Sequence, residues 1–299
     1  MEKVKQKVVI IVGPTASGKT ALAVELARTF QGEIISADSR QVYKGLDIGT
    51  GKVTKKETKG VPHHLIDVVS PSRVFTADDF VKKGRKAIAS IAKLGKLPII
   101  AGGTGFYIDA LTGAMSLPNV PPNPALRKKL EVLSAAELSI LLAAKDPRRA
   151  EDIDKQNPVR LIRALEIAEA IGTSPLPSPS LLYDVLWIGI DAPKEVLDGK
   201  IEARLHARMK RGMLNEARNL HAAGLSWKRM EDLGLEYRYM ARLLQKNITR
   251  LEFDRDLTTE IKRYAKRQRM YWRRNKDIRW FTPEELHKVE EVVRGFVHS

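Results

Sequence analysis

The sequence predicts an α/β fold: a doubly wound, mostly parallel sheet with a helical insertion domain. Three observations carry this. Short, continuous apolar runs recur along the chain, stretches of helical period separate them, and between two of the runs lies a segment that is helical by period alone.

Val8–Val12 is the first run, apolar throughout, as for a parallel strand buried on both faces. A Gly-rich turn follows, then a helix pattern from Thr20 to Phe30 with Leu22, Leu26 and Phe30 on one side. Glu33–Ser36 reads as a second strand. Leu97–Ala101 reads as another, running into Gly102-Gly103-Thr104-Gly105, and Val185–Ile190 is a later strand of the same style. The Pro-rich stretches Ser116–Pro124 and Thr173–Ser180 read as hinges that continue neither strand nor helix. Ala125–Ile171 between them is helical. The expected division is a core of residues 1–115 and 183–299 around a helical insertion at 116–182. From Lys200 to Lys276 the chain is helical again and densely basic.

The 299 residues carry a net charge of +16, with 43% hydrophobic and 29% charged residues. Such a chain can bury a sizeable core, and its excess positive charge points to a polyanionic partner, nucleic acid first. The absence of cysteine excludes disulfides, thiolate catalysis and cysteine-ligated zinc, and fits a reducing cytoplasm. The apolar run near the N-terminus stops at Val12, too soon for a signal segment or a membrane span. A cytoplasmic protein with no membrane contact is therefore expected.

Gly13-Pro14-Thr15-Ala16-Ser17-Gly18-Lys19-Thr20 matches G-x-x-x-x-G-K-[ST] between a strand and a helix, where a phosphate-binding loop works. Gly13 and Gly18 permit the turn, and the amides from Thr15 to Thr20 are expected to point into its concavity. Lys19 can reach between phosphates and Thr20 can place its hydroxyl on Mg²⁺. The motif makes the fold P-loop NTPase-like. No acid ends the strand at Leu97–Ala101; the strand-end carboxylate nearby is Asp38, inside the dense polar cluster Asp38-Ser39-Arg40-Gln41. Asp38 also fits a helix N-cap with Gln41 three residues on as a capping box. His63 and His64 look like a metal pair, but neighbours in a strand point apart, which favours a structural role.

"GPTASGKT", "SADSRQVYKGLDIGTGK", "PHHLID", "AGGTGFY", "RLIRALE" and "KRYAKRQRMYWRR" occur here in the order found in one family. Across nearly its whole length the chain resembles the tRNA dimethylallyltransferases, also called tRNA isopentenyltransferases, in their short bacterial form. The resemblance implies transfer of a dimethylallyl group from dimethylallyl diphosphate to N6 of adenosine 37, beside the tRNA anticodon. Pyrophosphate is then a leaving group, stabilised by the loop amides, Lys19 and Mg²⁺ on Thr20. The exocyclic amine must shed a proton as it attacks, and Asp38 is the implied base. Ser39, Arg40 and Gln41 would hold the extruded base. The family pattern further implies Thr104 against the adenosine and Arg204 on the pyrophosphate.

Lys262, Arg263, Lys266, Arg267, Arg269, Arg273, Arg274 and Lys276 crowd one helical stretch with almost no compensating acid, interleaved with Tyr264, Tyr271 and Trp272. Cations neutralise phosphates and aromatics stack on unpaired bases, so this stretch, including Gln268, is expected to meet RNA. Arg160 and Arg163 share a helix face of the insertion. The resemblance puts them on tRNA, joined by Arg127, in a basic lobe that clamps the anticodon stem. The family's G-Y-K-E stretch is replaced by Gly234–Arg238, "GLEYR", so its contacts are not carried over. A monomer satisfies the pattern. The rival readings are an ATP-dependent P-loop kinase acting on a small molecule or RNA, and a non-catalytic RNA-binding protein switched by nucleotide.

Overall fold

The computed structural model describes residues 5–174 and 180–299; most of the proline-rich stretch Thr173–Ser180 thus lies outside the described residues. The chain forms two compact units, Met1–Gly113 with Leu181–Ser299, and Ala114–Ser180.

The larger unit begins β1 (Lys7–Val12), α1 (Lys19–Thr29), β2 (Gly32–Ala37), α2 (Lys55–Thr58), β3 (His63–His64), α3 (Ala77–Lys93), β4 (Leu97–Gly102) and α4 (Gly105–Thr112). The smaller unit holds α5 (Pro124–Leu130), α6 (Ala135–Lys145), α7 (Pro147–Asp152) and α8 (Pro158–Ile171). The larger unit resumes with β5 (Asp184–Ile190), α9 (Lys194–Lys210), α10 (Met213–Ala222), α11 (Trp227–Leu233), α12 (Leu235–Leu244), α13 (Arg250–Arg273), β6 (Arg279–Phe281) and α14 (Leu286–His298).

The six strands pair in the order β3-β2-β4-β1-β5-β6, every pair parallel. Val8–Val12 of β1 are fully buried because helices cover both faces. Val9 and Ile11 pack with Ala23, Val24 and Leu26 of α1 and with Val289 and Val293 of α14. The strands of two and three residues, β3 and β6, carry no apolar run that a sequence pattern could register. The chain leaves β1 toward β2 but leaves β4 toward β5, so the carboxyl ends of β1 and β4 flank the switch point where such folds place ligands. Among the described residues no helix is long and apolar enough to cross a membrane.

In the smaller unit the prolines open helices as well as breaking them. Pro124 and Pro158 each sit in the first turn, where the missing N–H costs nothing, behind the capping side chains Asn123 and Asn157. Leu138, Leu142, Leu161, Ile162 and Leu165 form the core. Glu166, 2% exposed, lies beside it. Arg127 donates to it through Nε and Nη2, both at 2.7 Å, Arg163 through Nη1 at 3.1 Å, and the Asn123 amide at 2.7 Å. Arg163 also donates to the Val120 carbonyl at 2.7 Å. Arg127 and Arg163, expected to meet tRNA, are both engaged with Glu166 here. A buried carboxylate must be paired, and these two arginines pair it. Arg160 is exposed, 3.9 Å from Asp154, and stays free to meet a polyanion.

Burial alone would raise the Glu166 pKa, but hydrogen bonds from Arg127, Asn123 and Arg163 overcome it and hold the group at about 2, against 4.5 for the free side chain. Its contribution is therefore full above about 4.5 and is lost as pH falls toward about 2. Glu166→Gln is expected to cost about 3 kcal/mol in urea denaturation at neutral pH. The gap to the parent should close on acidification, and a gap independent of pH would contradict the pairing.

Candidate active site

Three loops leave the carboxyl ends of neighbouring strands. After β1, Gly13 takes φ 143°, and a Cβ there would lie 2.1 Å from the Ile190 carbonyl, so only glycine lets the loop turn against β5. Gly18, at φ 97°, caps α1 without a side-chain hydrogen bond, which leaves the first-turn N–H groups to an anion. Thr15 departs from the expected pattern: its amide donates to Gln268 Oε1 at 2.8 Å and is not available to a phosphate. The Ser17 hydroxyl is buried with no partner among the described residues. Lys19 Nζ donates to the Pro14 carbonyl at 2.5 Å, and Thr20 is exposed in the first turn of α1.

After β2 the chain makes no helix. Asp38 Oδ1 accepts the amides of Arg40 at 2.8 Å and Gln41 at 3.3 Å, an Asx turn in place of the capping box. Oδ1 is thus spent on fixing the loop, and neither of those amides uses Oδ2. Asp38, Ser39, Arg40 and Gln41 are all half-buried, whereas Tyr43 is buried and structural. After β4, the Thr104 hydroxyl accepts the Ser39 amide at 3.1 Å, which ties the third loop to the second. The glycines around Thr104 serve close approach. A Cβ on Gly103 would sit 2.0 Å from Gln268 Nε2, and one on Gly105 would sit 2.1 Å from the Tyr271 ring.

The first two of these loops line an open cleft with Thr15, Ala16, Asp38 and Arg40, together with Arg204 of α9 and Tyr264 of α13. Burial first and the charge of Arg204 second lower the Lys19 ammonium to about 7, while Asp38 and Asp191 pull it back up. Burial, then Arg208, also draws down Arg204, and burial, then Asp38, pushes Tyr264 up to about 12. The cleft sets Arg40, Arg204 and Arg208 against Asp38 and Glu236, an excess of cation suited to a diphosphate.

Other residues lacked a sequence signal or had one that went unread. Asp191 follows the apolar run of β5 just as Asp38 follows β2, so Asp38 is not the only strand-end acid; Asp191 Oδ1 accepts from Arg269 Nη2 at 2.6 Å. Glu236, within the divergent Gly234–Arg238 stretch, accepts from Arg208 Nη1 at 2.9 Å, and Tyr237 donates to Glu216 Oε1 at 2.6 Å. Glu216 in turn takes the amides of Asp47, Ile48 and Gly49. Nothing in the local sequence announces these pairings. His63 and His64 take separate partners, the Val61 carbonyl and Glu33, and the described residues contain no trio of His, Asp or Glu able to hold a metal.

The basic stretch is partly neutralised by acids of its own helix and of other elements. Lys262 pairs with Glu202, Arg263 with Glu260, Arg269 with Asp191 and Arg274 with Asp109. The helix ends at Arg273, so Arg274 caps it and Lys276 lies beyond. Lys266, Arg267 and Arg273 are exposed. Gln268, expected to meet RNA, is buried here, with Oε1 on the Thr15 amide and Nε2 on the Gly103 carbonyl at 3.0 Å.

Fold and site define a class: an α/β enzyme of P-loop type whose phosphate loop shares one cleft with a carboxylate. The family model described as IPP transferase matches residues 41–275. A tRNA dimethylallyltransferase 1 of Geotalea uraniireducens is 41% identical over 292 residues, covering 95% of this chain and 96% of its own. A tRNA dimethylallyltransferase 2 of Treponema denticola is 44% identical over 276 residues, with 90% and 92% covered. The crystal structure of a tRNA isopentenylpyrophosphate transferase from Bacillus halodurans superposes with a TM-score of 0.75 at 34% identity, covering 97% of this chain and 96% of that one. A eukaryotic dimethylallyltransferase acting on tRNA superposes at 0.80 with 25% identity, covering 97% and 77%. The chain belongs to the tRNA dimethylallyltransferase family and is a prenyltransferase.

A bound diphosphate would favour charged Lys19. Pyrophosphate binding at about pH 8 should therefore take up close to one proton by this lysine, falling toward none at about pH 6, below its pKa of about 7. Calorimetry in buffers of different ionisation enthalpy reads the number, and Lys19→Arg, permanently charged, should abolish that uptake. An uptake unchanged in Lys19→Arg would mean another group titrates.

Proposed function

We propose that this chain transfers the dimethylallyl group of dimethylallyl diphosphate to N6 of adenosine 37 in tRNA and releases pyrophosphate. The observation that carries the reading is the single cleft in which Asp38 lies beside Thr15, Ala16 and Arg204. The relatives whose names state the same reaction class support it.

As the allylic C–O bond breaks, its electron pair stays on the leaving oxygen. Lys19, Arg204 and the uncapped N-terminus of α1 stabilise that charge. The N6 lone pair forms the new C–N bond, and the amine proton passes to Oδ2 of Asp38, the oxygen not used by the Asx turn. Ser39, Arg40, Gln41 and Thr104 hold the adenosine; Thr104, an acceptor toward Ser39, keeps its own O–H for the base. Mg²⁺ suits this donor set, since it keeps waters and takes diphosphate oxygens with few protein ligands, and the exposed Thr20 hydroxyl would hold it. Its chemistry there is to neutralise the leaving diphosphate. Lys266, Arg267 and Arg273, with Arg160 of the helical unit, supply phosphate contacts. The protein acts as a cytoplasmic monomer. A kinase reading would need ATP as donor, and the family match does not favour it.

The test incubates the protein with Mg²⁺, unmodified tRNA carrying adenosine at position 37, and either dimethylallyl diphosphate or ATP, followed by mass spectrometry of the digested nucleosides. A prenyl-sized gain on adenosine with the allylic donor alone is expected. ATP consumption without an adduct would sink the reading. Asp38→Asn should lower kcat roughly 10²–10⁴-fold with tRNA binding retained.

A further inference from the structure

Gln268 projects from α13 into the gap between two strand-end loops. It is 7% exposed, accepts the Thr15 amide at 2.8 Å and donates to the Gly103 carbonyl at 3.0 Å. A Cβ at position 103 would lie 2.0 Å from Gln268 Nε2, so any side chain there must displace that amide. One residue on, Arg269 Nη2 donates to Asp191 Oδ1 and the Ala192 carbonyl, both at 2.6 Å, which pins the same turn of α13 to the end of β5. Thr104, next to Gly103, holds the Ser39 amide, and Asp38 precedes Ser39. A continuous series of bonds thus runs from the diphosphate loop through Gln268 to the acceptor loop and the carboxylate.

We propose that Gln268 is a positioning residue that fixes the diphosphate loop against the acceptor loop, so that the prenyl carbon held by one meets the adenine amine held by the other. The inference rests on the transferase reading above. A backbone amide has a single proton, so the loop gives up one anion contact at Thr15 in exchange for this bridge. Displacement at the reacting centre is where that exchange matters: reacting atoms must stand about 3–3.5 Å apart, and a misplacement of about 1 Å costs on the order of 10²-fold.

Gln268→Leu keeps the volume and removes both hydrogen bonds. Gln268→Glu keeps an acceptor for Thr15 and sets a carboxylate against the Gly103 carbonyl. Gly103→Ala displaces the amide from the opposite side. In each, kcat at saturating substrates should fall at least about 30-fold, while KM for dimethylallyl diphosphate and Kd for tRNA stay within about threefold. Unchanged kcat, or a loss confined to tRNA affinity, overturns the bridge; the second pattern would mark Gln268 as an RNA contact. Thermal melting shows which variants fold, and where Gln268→Leu does not, the other two are read by the same split. Should the parent itself transfer no prenyl group, the transferase reading has failed. The bridge is then decided by amide hydrogen exchange: markedly faster exchange of the Thr15 amide in Gln268→Leu supports it, and unchanged exchange overturns it.

Discussion

Parallel pairing brings the carboxyl ends of β1, β2, β4 and β5 to one edge of the sheet, and every loop of the cleft leaves from that edge. The phosphate loop, the Asp38 turn and the Gly102–Gly105 loop are therefore neighbours in space although they are far apart in the chain. The two central strands have no solvent face. Their apolar runs are continuous, and the polar chemistry is confined to the residues just beyond them. Gly13 illustrates the constraint: the loop must turn at once against the Ile190 carbonyl, which leaves no room for a side chain.

Charge is distributed by the same geometry. The cleft gathers Arg40, Arg204 and Arg208 around Asp38 and Glu236, and burial first, then the charge of Arg204, lowers the pKa of Lys19. On α13 the inward cations are spent on Glu202 and Asp191, whereas Lys266, Arg267 and Arg273 face water. One helix therefore does two jobs. Its inner side organises strand ends, and its outer side carries the excess charge that a polyanion would neutralise. In the helical unit the same logic pairs Arg127 and Arg163 with the buried Glu166.

Much was legible in the sequence because it rests on local rules. A strand buried on both faces is largely apolar, so β1, β4 and β5 announce themselves, and β2 shows Ile34 and Ile35 between Glu33 and Ser36. A phosphate loop needs glycines, a lysine and a hydroxyl at set spacing, and the loop at Gly13–Thr20 has them. Asp38 was identifiable because a polar cluster ending an apolar run is unusual. Asp191 carried the same signal after β5. The short strands β3 and β6 show no pattern, since edge positions of two or three residues bury too little to shape their composition.

The sequence by itself determined the α/β class, the glycine-rich turn after β1 and the acid at the end of β2, since periodicity and backbone conformation act over a few residues. Tertiary structure alone decided which polar groups are spent on each other. That Arg127 and Arg163 pair with the buried Glu166, and that Gln268 of the basic helix spans Thr15 and Gly103, has no local signal in the sequence. The physical reason is that a buried charge or amide takes whatever partner folding brings within about 3 Å, and such partners lie up to hundreds of residues away along the chain.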